Sequence, residues 1–162
     1  MSETLTIRPF RPADAPACAR IYVEARRVAF SWCPPDMFTD DEFARDSRGE
    51  AVFVAEEAGE VRGFLSIWTP DHFIHLLFVD PAMHRRGIGA ALLRHAERQF
   101  GSWGWLKCQS GNLNALAFYT RMGWTVGEGG VNELGPWRAV SWLSPDLSEP
   151  ARRALEGRPR AD

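Results

Sequence analysis

The stretch His84-Arg85-Arg86-Gly87-Ile88-Gly89-Ala90 carries the residue types that grip a phosphate: two arginines, then two glycines at the head of a helical pattern. A helix N-terminus leaves backbone N–H groups unpaired and carries about half a positive charge, and glycine lets ligand oxygens come close to the main chain. Two further residue types have chemistry to offer. His75 interrupts the apolar run from Phe73 to Val79, and Tyr119 lies in the segment from Asn112 to Gly123. An imidazole can accept a proton near neutral pH, and a phenol can donate a hydrogen bond.

The phosphate pattern can be narrowed. A nucleotide P-loop needs Gly-Lys followed by Ser or Thr, but Gly89 is followed by Ala90 and Ala91. A dinucleotide fingerprint needs a third glycine where Leu92 stands and an acidic residue about 20 positions on, where the chain offers Lys107, Gln109 and Asn112. Neither pattern fits.

The elements that must position these residues follow from periodicity. Leu5 and Ile7 alternate with polar neighbours in a short strand stopped by Pro9 and Pro12. Asp14 is the predicted N-cap of a helix whose stripe is Cys18, Ile21, Tyr22, Ala25, Val28 and Ala29. An aromatic loop from Phe30 to Phe38 follows, then a capping box at Thr39-Asp40-Asp41-Glu42. Residues 51–56 and 61–68 read as a hairpin, and 73–79 as a central strand buried on both faces. Ile88, Leu92, Leu93, Ala96 and Phe100 mark a helix ended by Gly101, and 103–109 a strand. Asn112 to Met122 is a helix stopped by Gly123, and two more strands begin at Trp124 and around Arg138. The alternation of strands and helices defines an α/β (α+β) protein.

One domain over residues 1–144 is expected, with 145–162 as a peripheral tail rich in proline and charge. Three scattered cysteines suggest neither a disulfide framework nor a zinc site, and no metal is expected. A net charge of −2 argues against a nucleic-acid partner. No apolar run is long enough to span a membrane, and the start lacks signal-peptide features, so a cytoplasmic location is expected.

Val79-Asp80-Pro81-x-x-His84-Arg85-Arg86-Gly87-Ile88-Gly89-Ala90 resembles the acyl-CoA pyrophosphate loop of the GNAT superfamily of N-acyltransferases, Gln/Arg-x-x-Gly-x-Gly/Ala after a strand ending in Val-x-Pro. His84 stands where that family generally has Gln or Arg. Asn112-x-x-Ala115-x-x-Phe118-Tyr119-x-x-x-Gly123-Trp124 is similar to the family's downstream helix, and Asn112, Ala115 and Tyr119 share one helical face. The resemblance covers the chain from Leu5 to Leu143.

The resemblance implies a GNAT fold: a central mixed, mostly antiparallel sheet of about seven strands flanked by about four helices, with a splay between the fourth and fifth strands. It implies acetyl-CoA (coenzyme A) as cofactor, held by Leu77, Phe78, Val79, His84, Arg85, Arg86, Gly87, Ile88, Gly89, Ala90, Asn112, Ala115, Phe118 and Tyr119. Asn112 would contact the pantetheine arm, Tyr119 would face the thioester sulfur, and a backbone N–H near Phe78 or Val79 would hold the carbonyl oxygen. Full proton transfer from a phenol to a thiolate runs uphill by roughly 2 kcal/mol, so a hydrogen bond to the sulfur is the safer description of Tyr119. His75 stands where many relatives place a Glu base, with a hydrogen-bonded core histidine as the other reading; Asp71, His72 and Glu133 are further ionisable candidates. The acceptor is expected against the aromatic loop and residues 129–137, with Trp32, Phe38, Trp68 and Glu133 as its contacts. The implied reaction is acetyl transfer to a primary amine, of a small or amino-acid-like molecule first and of a protein N-terminus or lysine second. A non-catalytic acyl-CoA sensor and a tRNA-acetylating relative are the alternatives, and a homodimer stays open.

Overall fold

The computed structural model describes residues 4–83 and 86–156. The first strand, β1, spans Thr6–Pro9 and gives way to a short 3-10 turn at Pro12–Asp14 and then to α1, Ala15–Ala29. Asp14 stands at the N-cap of α1 but does not cap it. Its carboxylate accepts the Arg11 N–H at 2.8 Å, closing the 3-10 turn, and a two-pronged contact from the Arg8 guanidinium at 2.9 Å. The side chain predicted to start the helix therefore ties the helix to β1, because the turn before α1 has already used its reach.

Cys18, Ile21 and Tyr22 are buried as predicted, but Val28 is 60% exposed and Arg26 is 5% exposed. The last turns of α1 rotate towards a small cluster of Val23, Phe30 and Phe38, which turns Val28 outward. Arg26 is tolerated inside because its guanidinium lies 3.5 Å from the Tyr22 ring centroid and reaches Glu42 at 3.3 Å. Glu42 opens α2, Glu42–Asp46, and accepts the Thr39 N–H at 2.6 Å, one arm of the expected capping box.

Strands β2, Ala51–Glu57, and β3, Glu60–Trp68, form the predicted hairpin. Ala58 and Gly59 between them both have positive φ, 55° and 74°, which matches the right-handed twist of a two-residue turn. Alanine in that region costs about 1–2 kcal/mol, and asparagine tolerates it far better. Ala58→Asn should therefore raise the melting temperature by about 1–4 °C in thermal denaturation.

The remaining elements are β4, Phe73–Val79; α3, Ile88–Phe100; β5, Trp103–Gln109; α4, Leu113–Arg121; β6, Thr125–Asn132; β7, Gly135–Leu143; and α5, Glu149–Glu156. They complete a seven-stranded sheet in the order β1-β2-β3-β4-β5-β7-β6. Every neighbouring pair is antiparallel except β4 and β5, which are parallel and pair only at Phe73 with Trp105 and at Ile74 with Leu106. Beyond those two positions the strands part, as the sequence resemblance implied. Five helices rather than four are present among the described residues. The fifth, α5, comes from the tail: it buries no residue and is held by Arg152 donating to the Ser144 carbonyl at 3.1 Å.

The sheet is covered on both faces. Ile88, Leu92, Leu93 and Ala96 of α3 pack on Leu65, Ile67, Ile74 and Leu106, with Tyr119 of α4 in the same cluster. Cys18, Ile21 and Tyr22 of α1 and Phe43 of α2 pack on Val54, Phe64 and Leu76 from the other side.

Candidate active site

The chemistry gathers where β4 and β5 separate. Ser66 pairs with Leu76 while Ile67 pairs with Ile74, so His75 is the extra residue of a β-bulge against β3. It is also the first β4 residue past the ladder with β5. A bulge re-aims side chains: Ile74 joins the core on the α3 side, and Leu76, two residues on, joins the core on the α1 side. His75 is thereby freed from the core and is exposed on the α1 side.

Its imidazole Nδ1 lies 2.9 and 3.0 Å from the two oxygens of Glu50, whose side chain is only 8% exposed. Ser66 donates a hydrogen bond from its hydroxyl to the same carboxylate. The hydrogen bond to Glu50 pushes the His75 pKa up, burial works against it, and the charges of Glu50 and Asp46 add to the rise. Asp46 is itself held in place by the Tyr22 hydroxyl, which donates to it at 2.7 Å. Glu50 and Ser66 were not picked out from the sequence. The signal was a serine in the middle of an apolar strand, whose hydroxyl had to find a partner.

On β4 the Asp80 N–H donates to Arg62 of β3 at 2.8 Å. The pleat then turns the peptide groups of Leu76 and Phe78 towards β3 and those of Leu77 and Val79 towards the parted strands. Of the two N–H groups expected near the carbonyl oxygen, Val79 faces the gap and Phe78 does not. The Phe78 ring instead packs 5.2 Å from Tyr22.

Asp80 also shapes the turn into the glycine stretch: its carboxylate accepts the Ala82 N–H at 3.0 Å and Arg20 of α1 at 3.3 Å. His84 and Arg85 lie outside the described residues. Arg86 is exposed and reaches Glu57 at 3.5 Å. Gly87 is the N-cap of α3 with φ +78°, and among the described residues nothing lies within 4 Å of where a Cβ would stand and no side chain caps the helix. The N–H groups of Ile88, Gly89 and Ala90 therefore open the helix without intrahelical partners. A Cβ at Gly89 would stand 3.5 Å from the Phe118 ring and 3.7 Å from Val79, so α4 and β4 come to the same place beside the start of α3.

Asn112 is the N-cap of α4, its carbonyl oxygen accepting the Ala115 N–H at 3.3 Å, which leaves its amide N–H groups for a ligand. Ala115 and Phe118 pack against the α3-side core. Tyr119 is 8% exposed, and its hydroxyl makes no hydrogen bond to any described residue. Burial pushes its pKa up, with Cys108 adding to the rise, so the phenol stays protonated.

The expected acceptor contacts are placed unevenly. The Trp32 ring is half-exposed, donates from Nε1 to the Leu134 carbonyl at 2.9 Å, and fills the space a side chain at Gly111 would need. It thus joins the aromatic loop to the β6–β7 turn. Phe38 is 2% exposed beneath the Arg26 guanidinium and forms the loop's own core, with no face left for a ligand. Trp68 is 41% exposed over Gly49, next to Glu50. Glu133 is exposed in the β6–β7 turn, away from any described partner, and His72 is stacked between Phe100 and Trp103 at the opposite end of β4. Among the described residues no group of three His, Cys, Asp or Glu side chains is arranged to hold a metal. Among them, too, no helix is long and apolar enough to cross a membrane.

A mixed sheet parted between two parallel strands, with a glycine-headed helix at one side of the gap and a buried phenol at the other, is the architecture of an acyl-CoA transferase. The chain belongs to the acetyltransferase (GNAT) family, whose model matches residues 15–124. A solved structure similar to this chain, yncA from Salmonella typhimurium, contains its cofactor acetyl-CoA, with a TM-score of 0.61 at 24% identity, covering 90% of this chain and 97% of that one. A protein named mycothiol acetyltransferase from Amycolatopsis mediterranei (strain U-32) is 33% identical over 149 residues, which is 77% of this chain and 48% of that protein. The chain thus spans about half the length of this curated relative. Among solved structures, a GCN5-related N-acetyltransferase from Rhodopseudomonas palustris superposes with a TM-score of 0.75 at 20% identity, covering 89% of this chain and 98% of that one. PaiA N-acetyltransferase from Thermoplasma acidophilum, in complex with coenzyme A, gives 0.71 at 13% identity, covering 87% and 99%. These two share the fold.

Proposed function

We propose that this chain transfers the acetyl group of acetyl-CoA to the primary amine of a small molecule by direct attack on the thioester. The observation that carries this reading is the position of His75, an exposed imidazole backed by a buried carboxylate at the point where β4 and β5 separate. Similarity to a protein named mycothiol acetyltransferase supports a small acceptor over a protein one.

Acetyl-CoA supplies the acetyl group and departs as the thiol. The open first turn of α3, with Gly87 at its head, meets the pyrophosphate through backbone N–H groups. Leu77 and Val79 offer their peptide groups to the pantetheine arm, and Asn112 adds its free amide. His75, neutral above its raised pKa, takes the proton from the acceptor ammonium and leaves the nitrogen lone pair free to attack. Val79 N–H faces the carbonyl oxygen as charge grows on it. Tyr119 donates a hydrogen bond to the sulfur as the C–S bond breaks, and the second proton, which the nitrogen loses on becoming an amide, passes to the thiolate to give the free thiol.

Gly87→Ala puts a side chain into a left-handed position at a cost of about 1–2 kcal/mol; the empty turn sheds that strain by leaving the cradle geometry and CoA must restore it, so affinity by calorimetry should fall by up to about tenfold. The function itself is tested by following free thiol release from acetyl-CoA with a panel of primary amines. Acetylated amine in step with thiol supports the transferase. Tight CoA binding without turnover of any amine points to a sensor and overturns it.

A further inference from the structure

The open face of the second half-sheet carries a cation that the transfer chemistry does not use. Leu106 and Cys108 belong to the α3-side core, so alternation places Trp105, Lys107 and Gln109 on the opposite face, the side to which His75 is exposed. Lys107 is the only lysine in the chain, is exposed, and forms no ion pair with a described carboxylate. Its ammonium is not loose: it rests 4.6 Å from the Trp137 ring centroid and 6.0 Å from that of Trp105. Phe73 and Trp105 are the first pair of the short parallel ladder, with rings 4.7 Å apart. His75 and Lys107 each stand two residues past that pair, on facing strands at the mouth of the gap.

Gln109 supplies a second signal. The Leu134 N–H donates to Asn132 Oδ1 at 3.0 Å, which identifies that atom as oxygen, and Gln109 Nε2 donates to the same oxygen at 3.2 Å. The amide orientation of Gln109 is thereby fixed, and its Oε1 is left buried with no partner among the described residues. An acceptor atom in that state has hydrogen-bonding capacity that no described residue fills. The start of α3 packs with the opposite core, so the phosphates of the acyl donor do not explain Lys107.

We infer that the acceptor is an α-amino acid or a similarly small amine with a carboxylate near its nitrogen, the carboxylate pairing with Lys107 while an N–H of the same molecule donates to Gln109 Oε1. This rests on the transferase reading above and names its substrate class. An ammonium already laid on the ring faces loses little freedom when the carboxylate arrives, so the pair fixes the acceptor's orientation at low entropic cost. The nitrogen is then presented towards His75.

The test is a kinetic comparison of matched sets, each an amino acid, its carboxamide and its decarboxylated amine, with wild type, Lys107→Met, Lys107→Arg and Gln109→Leu. Wild type should prefer the acid at least tenfold in kcat/KM. Lys107→Met should remove that preference through a KM rise for the acid alone, and Lys107→Arg should restore part of it. Gln109→Leu should raise KM for all three members. Equal rates across a set in wild type, or an equal loss for all three in Lys107→Met with an unchanged melting temperature, overturns the carboxylate assignment while leaving the transferase intact. Failure to acetylate any amine overturns both.

Discussion

Tyr119→Phe is expected to lower kcat by about 10- to 100-fold while leaving CoA affinity within about twofold. The range is what a hydrogen bond to a group gaining full charge is worth, roughly 1.5–3 kcal/mol in the transition state. The same substitution should not lower the melting temperature, because the hydroxyl makes no hydrogen bond to a described residue and the ring stays packed among Phe118, Trp124 and Cys108. Rate loss without loss of stability or of CoA binding separates a donor to the sulfur from a packing role. Burial holds the phenol firmly protonated, so a solvent-exposed tyrosinate is not formed and the rate should show no alkaline limb from this residue below pH 9 or so. Stopped-flow thiol release and calorimetric CoA titration measure both quantities.

The second large effect concerns pH. His75 works as a base only when neutral, and Glu50 raises its pKa, so kcat/KM should climb with pH through a value above the ordinary imidazole range of about 6.5. Glu50→Gln keeps the shape of the side chain and removes the main cause of the rise, so the limb should move to lower pH. His75→Gln should erase the limb and cost about 100-fold or more at pH 8. An unchanged limb in His75→Gln would remove the residue as the base. The same pair carries a stability signature of opposite sense. A histidine whose folded pKa is raised contributes its stabilisation in full below the unfolded value and loses it as pH rises through the folded one. The fold should thus gain from the pair on the acid side, where catalysis is off, and pH-dependent thermal denaturation of wild type against His75→Gln reads that difference.

The parts of the site written in local pattern were legible in the sequence. The helix opened by Gly87 and the helix opened by Asn112 each depend on a few consecutive residues, and both form where spacing places them. The bulge at His75 was not legible, since it arises from a mismatch in length between β4 and β3, a property of two strands rather than one. Glu50 comes from 25 positions away in the chain, and nothing local ties it to His75. Phe38 and Trp32 look equivalent in an aromatic loop, yet one is the loop's core and the other its outer clasp, a distinction set by Arg26 and by the β6–β7 turn. Asp14 shows the converse: the residue type and position suited a cap, but Arg8 on the neighbouring strand claimed the carboxylate.

The two-pair ladder between β4 and β5 has a consequence for how this molecule comes apart. Hydrogen bonding divides the sheet into a block of β1 to β4 and a block of β5 to β7, joined by two residue pairs and by the helices laid across them. The core under α3 runs across both blocks, so the weak point is the open ladder itself, and the amides of Leu77 and Val79 should be among the first of the sheet to exchange. An acyl donor lying between the blocks, as proposed above, would take the place of the missing ladder. At 100 times its dissociation constant it adds about 2.7 kcal/mol to the native state. That energy falls on the seam, so hydrogen exchange at Leu77 and Val79 should slow more on loading than exchange elsewhere in the sheet.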